Sequence, residues 1–595
     1  MTASPSTAER LAALRAELAR RGLDGFLVPR ADEHQGEYVP ASAERLAWLT
    51  GFTGSAGMAA VLPEEAAVFV DGRYVLQVRQ EVDERHFTPF HLLDKPLDAW
   101  LQESLKGRRI AYDPRLHTQS QVERLRQVAR LAGGEAVAVA DNPLDAVWRD
   151  RPAAPQAPAE AQPLELAGRS SADKRHDLGA RLGERAIGAA VLTLPDSIAW
   201  LLNVRGRDVP RTPFVLSFAL LRADGSVVWF VDPAKVSPEL RADLGDEVTV
   251  ASPDALPGAL DGLRGKTVLV DPASAGAWFF DRLGAAGASI VAGDDPCQLP
   301  KACKNAAELA GARAAHRRDG AALVRFLAWL DRQLPEGVTE AEAAARLAAF
   351  RAENERFRDL SFDTIAGSGP NGAIVHYRVS PGSDRALRHG ELFLLDSGAQ
   401  YQDGTTDVTR TLAVGAPSEE MRDRFTRVLK GHIALATARF PAGTTGHQLD
   451  ALARRPLWEA GLDFDHGTGH GVGSYLSVHE GPQRISKAPS TVALRPGMIV
   501  SNEPGYYKTG AWGIRIENLV AVTEAPSPTG AERPMLAFET LTLAPIDRSL
   551  IATELLSPAE RAWLDDYHAR VAEAVGPQVD AGTRGWLEAA TAPLD

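Results

Sequence analysis

The chain has 595 residues, 45% hydrophobic and 24% charged, with a formal net charge of −13. That length exceeds one hydrophobic core and calls for roughly two to four domains. The acidic balance, with no basic run and no aromatic-basic interleaving, excludes a nucleic-acid partner, and no apolar stretch approaches the roughly 18 residues that span a bilayer.

The N-terminus, MTASPSTAERLAALRAELARRG, carries arginines interrupted by Glu9 and Glu17, which predicts an amphipathic helix rather than a signal or transit peptide. Cys297 and Cys303 are the only cysteines. Their C-x5-C spacing matches no thiolate metal signature and gives no disulfide framework, so a reducing, cytoplasmic compartment is expected and no membrane partner. Residues 150–163, DRPAAPQAPAEAQP, lack apolar periodicity and read as a linker. On either side of it the same order recurs. RLAWLTGFTGSAGMAAVLPEEAAVFVDGRY and SIAWLLNVRGRDVPRTPFVLSFALLRADGSVVWFVDPAK each run from an A-W-L helix end through a Gly-containing loop into two apolar strands and an aspartate-led turn. The repeat predicts two related α/β domains, residues 1–150 and 164–300.

A second boundary falls near GDDPCQLPKACKNAAEL, and a third domain is expected over 304–595. Its texture is α+β. Helices are predicted at about 306–334 and 340–355. Strands follow in FDTIAGSG, GELFLLDSGAQY and TTDVTRTLAV, then a helix in SEEMRDRFTRVLKGHIALATARF, more strands in MIVSNEPGYY and WGIRIENLVAV, and a helical tail over roughly 550–595.

DFDHGTGH sets His466 and His470 four apart, the spacing of a helical metal pair. Gly467 and Gly469 each cost about 1 kcal/mol in a helix interior, so a loop is predicted, with backbone passing close to something and at most one histidine a ligand. Four acids stand at awkward places: Asp396 ends ELFLLD, Asp407 interrupts TTDVTRTLAV, Glu503 follows MIVSN, and Glu517 lies inside WGIRIENLVAV. A carboxylate in an apolar strand is costly unless paired or bound to metal. Arg410 or Arg515 could neutralise one acid, but four with a glycine-flanked histidine outnumber the nearby arginines. Their −4 matches two divalent cations, and the oxygen-rich set suits Mn or Mg better than structural Zn. Strand parity puts Arg515 and Glu517 on one face and Ile514 and Ile516 on the other. Asp403-Gly404 is a hairpin signal. A two-residue turn there would leave Asp396 roughly 13 Å from Asp407, so a wider loop or bulge centred nearer Tyr401-Gln402 is predicted instead.

FLLDSGAQYQDGTTDVTRT, HGTGHGVG, SVHEGP, SNEPGYY and GIRIEN, in that order, resemble the metal-binding frame of the pita-bread metallopeptidases, and in detail that of the aminopeptidase P family. PRADEHQGEYV, GFTGSAG, DGRY and DSIAWLLNVRGRDV extend the resemblance to its long, three-domain cytosolic form, with two creatinase-like domains before the catalytic one. The resemblance implies that Asp396 and Asp407 hold one ion, that Asp407 and Glu517 bridge a pair, and that His470 and Glu503 complete the second site. His466 becomes a supporting or substrate-side group. It implies two divalent ions, manganese foremost, about 3.5 Å apart and sharing a hydroxide that attacks the carbonyl before proline. Glu503 is then a proton carrier, His376 and His479 hold the substrate and the tetrahedral intermediate, and Arg73 is a substrate contact from the first domain, the local alternative being a pair with Asp71. An X–Pro bond is a tertiary amide without an N–H, so a ring-shaped pocket is expected, with Tyr377 and Tyr475 as candidates. The substrate expected is a peptide with proline second, and the oligomer a homodimer. A prolidase-like dipeptidase, a metal-free binding module and a creatine hydrolase are the rivals; the intact ligand set disfavours the last two.

Overall fold

A computed structural model describes residues 5–594. The chain forms two compact units, Met1–Leu164 with Arg169–Gln298, and Glu165–Gly168 with Leu299–Asp595. Among the described residues no helix is long and apolar enough to cross a membrane, and both cysteines are free thiols.

The first unit holds two six-stranded mixed sheets with one topology. In the first, the strands Gly25–Pro29, Met58–Val61, Ala66–Val70, Thr88–His91, Arg109–Tyr112 and Glu135–Ala138 lie side by side in the order fourth, third, second, first, fifth, sixth. In the second, Ala189–Leu192, Phe218–Arg222, Val227–Phe230, Val248–Ala251, Thr267–Val270 and Ser289–Ala292 repeat that order. The pairing senses match as well: the first three strands form an antiparallel meander and the remaining pairs are parallel. The sequence repeat is therefore a repeat of structure. The Pro/Ala-rich segment is extended at its start but not free at its end: Glu160–Ala161 pairs with Val204–Arg205, and the Ala159 N–H donates to the Lys235 carbonyl. The N-terminal helix Thr7–Arg20 opens on a Ser6/Glu9 capping box and buries Leu11, Leu14 and Leu18.

The second unit starts on the helix Ala306–Gln333, whose Asn305/Glu308 capping box supplies partners for its first free N–H groups. Behind it lie Glu340–Ala352, a three-stranded sheet of Ile365–Ser368, Glu391–Ser397 and Val408–Val414, and a six-stranded sheet that includes Gly469–Gly471, Glu480–Ile485, Ile499–Asn502 and Asn518–Ala525. Helices Glu419–Ala436 and Pro558–Val575 share one core with Trp512, Ile514 and Ile516. Ile514 and Ile516 are both 0% exposed, each contributing about 1.5–3 kcal/mol. That burial fixes the parity of the segment, because a one-residue slip would send Arg515 and Glu517 into oil.

Candidate metal centre

The hairpin carrying two of the four acids is tighter than the sequence predicts. Tyr401 pairs with Gly404 and Gln400 with Thr405, so the turn is the two residues Gln402-Asp403. There is no wide loop, and Asp403-Gly404 is not the turn. The same register runs on through Ser397 opposite Val408 and Asp396 opposite Thr409. Asp407 is two residues from Thr409, so Asp396, Thr409 and Asp407 project from one face. Gly404 is glycine for a different reason: a Cβ there would lie 3.1 Å from Ala312 Cα on the long helix. Asp403, the second residue of the turn, pairs its side chain with Arg318.

The glycine-histidine stretch is a pinned loop ending in a strand. Arg454, 0% exposed at its side chain, binds Asp450, Asp463 and the carbonyls of Phe464 and His466. A Cβ on Gly469 would sit 2.0 Å from the Ser501 carbonyl oxygen, and one on Gly471 2.2 Å from that of Glu480. Those two glycines permit the close approach; Gly467 meets only ordinary contacts. His470 Nδ1 faces the Gly471 carbonyl at 3.0 Å and must donate to it. Nε2 is thereby turned toward the acids, 3.4 Å from Asp407 Oδ2 and 3.6 Å from Glu503 Oε1.

Ligand atoms of Asp407, His470 and Glu517 all lie within 4.8 Å of one another. Asp396 and Glu503 close the set, since both act electrostatically on Asp407 and on Glu517. Burial, then the fields of Asp396 and Glu503, push Asp407 up to about 7 against the pull of His470. Burial, and after it the neighbouring carboxylates, push Glu517 well above the usual carboxylate range. Three oxygens in this cluster, Asp396 Oδ1, Asp407 Oδ1 and Glu517 Oε1, are buried with no hydrogen-bond donor. Unsatisfied anionic oxygens converging beside an aimed imidazole nitrogen fit divalent cations.

Other oxygens of the set are held by Arg515, which the sequence reading weighed as an acid's partner, and by Thr409 and Ser501, which it did not single out. Thr409 Oγ1 donates to Glu517 Oε2 at 2.7 Å and accepts from Arg515 Nε at 3.1 Å. Arg515 also donates to Asp396 Oδ2 at 2.6 Å, to the Tyr507 hydroxyl at 2.7 Å and to the Val375 carbonyl. Ser501 Oγ donates to Glu503 Oε1 and accepts from the His470 N–H. Arg410, the other arginine weighed as an acid's partner, pairs with no carboxylate. It donates to five neutral oxygens, including the carbonyl of Glu517 and the side chain of Asn518, and to the hydroxyl of Tyr567.

His479 packs edge-on against His470, ring centroids 4.3 Å apart. His376 is half-buried, on a segment held by Arg515 at Val375 on one side and by Tyr377 on the other. The Tyr377 hydroxyl contacts Glu340 Oε2 at 2.8 Å. The hydroxyl of Tyr377, the residue next to His376, is thus engaged. Tyr475 is 5% exposed with a left-handed φ of 48°. His466 is not a helical partner of His470: its Nδ1 donates to Gly467 O and its Nε2 accepts from the Tyr507 hydroxyl at 2.8 Å. Arg73, in the first unit, makes the local pair with Asp71. It forks onto Asp71 at 2.8 Å and 3.0 Å and reaches Glu37 at 3.4 Å.

Comparison with known proteins agrees with this architecture. The model of metallopeptidase family M24 matches residues 310–524, that of its C-terminal region 534–594, and two models of the creatinase/prolidase N-terminal domain match 10–147 and 150–308. A probable Xaa-Pro aminopeptidase P of Laccaria bicolor is 40% identical over 99% of this chain and 94% of its own length. One of Coccidioides posadasii is 39% identical over 99% of both. The crystal structure of an X-prolyl aminopeptidase from Caenorhabditis elegans, described as a cytosolic enzyme with a di-nuclear active site, superposes with a TM-score of 0.94 at 34% identity, covering 99% of this chain and 100% of that one. With its two creatinase-type domains and its pita-bread domain, the chain belongs to the aminopeptidase P group of metallopeptidase family M24.

Proposed function

We propose that this chain is an aminopeptidase that releases the first residue of peptides with proline second, acting as a homodimer in the cytoplasm with two divalent cations, manganese foremost. One observation carries the reading: ligand atoms of Asp407, His470 and Glu517 lie within 4.8 Å of one another, in a cluster where one oxygen each of Asp396, Asp407 and Glu517 is buried without a donor. Asp396 and Asp407 would hold one cation, Asp407 and Glu517 would bridge, and His470 with Glu503 would complete the second site. When bound, such a pair supplies an acidified water and a Lewis acid toward a peptide carbonyl.

The chain's own groups do the rest. Glu503 has one oxygen held by Ser501 and is exposed enough, at 17%, to take and return a proton at the edge of the cluster. His479 lies against His470 and would donate to a developing oxyanion. His376 serves the other side of the substrate. Arg515 and Thr409 hold the carboxylates of Asp396 and Glu517 in place by hydrogen bonds. A substrate with proline second offers no N–H to grip, so recognition rests on the free amine, the carbonyl and the shape of the ring.

The decisive measurement sets Xaa-Pro-Yaa tripeptides beside Xaa-Pro dipeptides, with EDTA and with added Mn2+. Release of residue one from tripeptides, lost with EDTA and restored by Mn2+, is expected. Cleavage confined to dipeptides would make the protein a dipeptidase. Absence of both bound metal and cleavage would make it a binding module. Light scattering decides the homodimer.

A further inference from the structure

Glu480 follows the substrate-side histidine His479 directly, and its side chain is 0% exposed. Two ammonium groups grip it. Lys301 Nζ lies 2.8 Å from Oε2, and Lys304 Nζ binds Oε1. The lysine side chains are only 2% and 1% exposed. Lys304 also donates to the Lys301 carbonyl at 2.9 Å. Both lysines belong to PKACKN, the stretch by which the chain enters the catalytic unit, and that stretch is itself anchored. The Lys304 N–H donates to Gly497 O, and Cys303 bridges Met498, immediately before the strand Ile499–Asn502 that leads to Glu503.

The sheet around Glu480 explains why such a grip is needed. Gly469 pairs with Ile485 and His470 with Arg484, but Gly471 pairs with Glu480. The jump loops out residues 481–483, so ladder hydrogen bonds do not carry the register from Arg484 back to His479. Beyond the jump the sheet holds this end of the strand through the single pairing of Glu480 with Gly471. The carboxylate of Glu480 is the nearest fixed point, and Gly473 leaves it room: a Cβ there would lie 3.1 Å from Oε2.

We propose that Glu480, held between Lys301 and Lys304, is a positioning residue that sets the imidazole of His479 against His470. This rests on the function proposed above for the importance of His479 but not for the geometry. One carboxylate between two buried ammonium groups is a rigid joint, because leaving it would strand a buried charge. It ties the substrate-side histidine to the entry strap, so that His479 and Glu503 are referenced to the same short stretch of chain.

The test is a double-mutant cycle on Glu480→Asp and His479→Ala, with metal content and Tm measured on every variant. Glu480→Asp keeps the charge and shortens the side chain by one methylene, pulling the loop by about 1 Å, a displacement able to cost up to about 100-fold. The expected result is a 10- to 100-fold fall in kcat with KM within threefold and metal content unchanged, and no further fall in the His479→Ala background. In the metal-free protein, imidazole 1H–15N spectra should show the His479 resonances shifted by Glu480→Asp and those of His568 unmoved. Equal losses in both backgrounds, or unshifted His479 resonances, would overturn the proposal. Lys301→Met leaves one intact ion pair and should give a smaller shift of the same resonances; it serves if Glu480→Asp does not fold. A wild-type protein that cuts no Xaa-Pro peptide would sink the proposed function, while the spectra would still decide the positioning.

Discussion

Stripped of divalent cations, the site should carry a pH signature of its own. Burial and the neighbouring acids raise Asp407 from 3.8 to about 7. Burial pulls His470 down, but the bond to Asp407 and the field of Glu503 outweigh it and hold the imidazole at about 9 rather than 6.5. Both folded-state values lie above the unfolded ones. Each group therefore contributes stability at low pH and loses it as pH rises, Asp407 between 3.8 and 7 and His470 between 6.5 and 9. The side chains are 5% and 21% exposed, so solvent screening takes little away. Between pH 5.5 and 8 the metal-free protein should lose about 2 kcal/mol through Asp407 and about 2 kcal/mol through His470. For a unit of this size that is roughly 6–12 °C in Tm. Cations require the deprotonated ligands and remove both penalties. The assay is calorimetry of EDTA-treated and Mn2+-reconstituted protein at the two pH values, since the difference between them cancels groups remote from the site. The gap should widen by that amount toward pH 8. A constant gap, or one that widens toward acid, would refute the electrostatic account of the cluster.

Three further outcomes follow from the supporting residues. Arg515→Met leaves Asp396 buried without its 2.6 Å partner and should destabilise the metal-free protein by about 3–5 kcal/mol, with part of the loss recovered on adding Mn2+; thermal unfolding with and without the ion reads both. Thr409→Val keeps the shape but removes the donor to Glu517 and the acceptor of Arg515, and competition titration should show metal affinity about 10–100-fold weaker. Elemental analysis should find the full metal complement in His466→Phe, whose partners are Gly467 and Tyr507, and a depleted one in His470→Ala.

Much of this was legible in the sequence because the signal was local. Ile514 and Ile516 declare one face and so place Arg515 and Glu517 on the other, and the core bears this out. The glycines beside His470 announced close backbone, which the Ser501 and Glu480 carbonyls supply at Gly469 and Gly471. The hairpin misled because Asp403-Gly404 has the chemistry of a turn while serving other ends: Asp403 meets Arg318, and Gly404 makes room for the helix Ala306–Gln333. No local pattern announces a contact made from a hundred residues away. Thr409 is an ordinary strand threonine until folding brings Glu517 and Arg515 to it, and Lys304 reads as a surface lysine until Glu480 arrives 176 positions later.

The same register that assembles the centre also makes it unstable alone. Asp396, Asp407 and Thr409 share a face because the hairpin has no bulge, and Glu517 is driven toward them because its neighbour Ile516 is driven into the core. Burial of apolar side chains thus supplies the free energy that crowds four carboxylates together. Within the cluster the protein answers with one paired guanidinium, Arg515, and behind it with Arg410, whose charge is spread over neutral oxygens. These two guanidinium groups leave three oxygens of the cluster bare. A fold that needed only stability would fill this space with apolar groups or a third arginine. Keeping the deficit reserves the place for cations, so a variant that neutralises one of the bare acids should bind metal more weakly while its metal-free form resists unfolding better, and calorimetry with and without Mn2+ reads both.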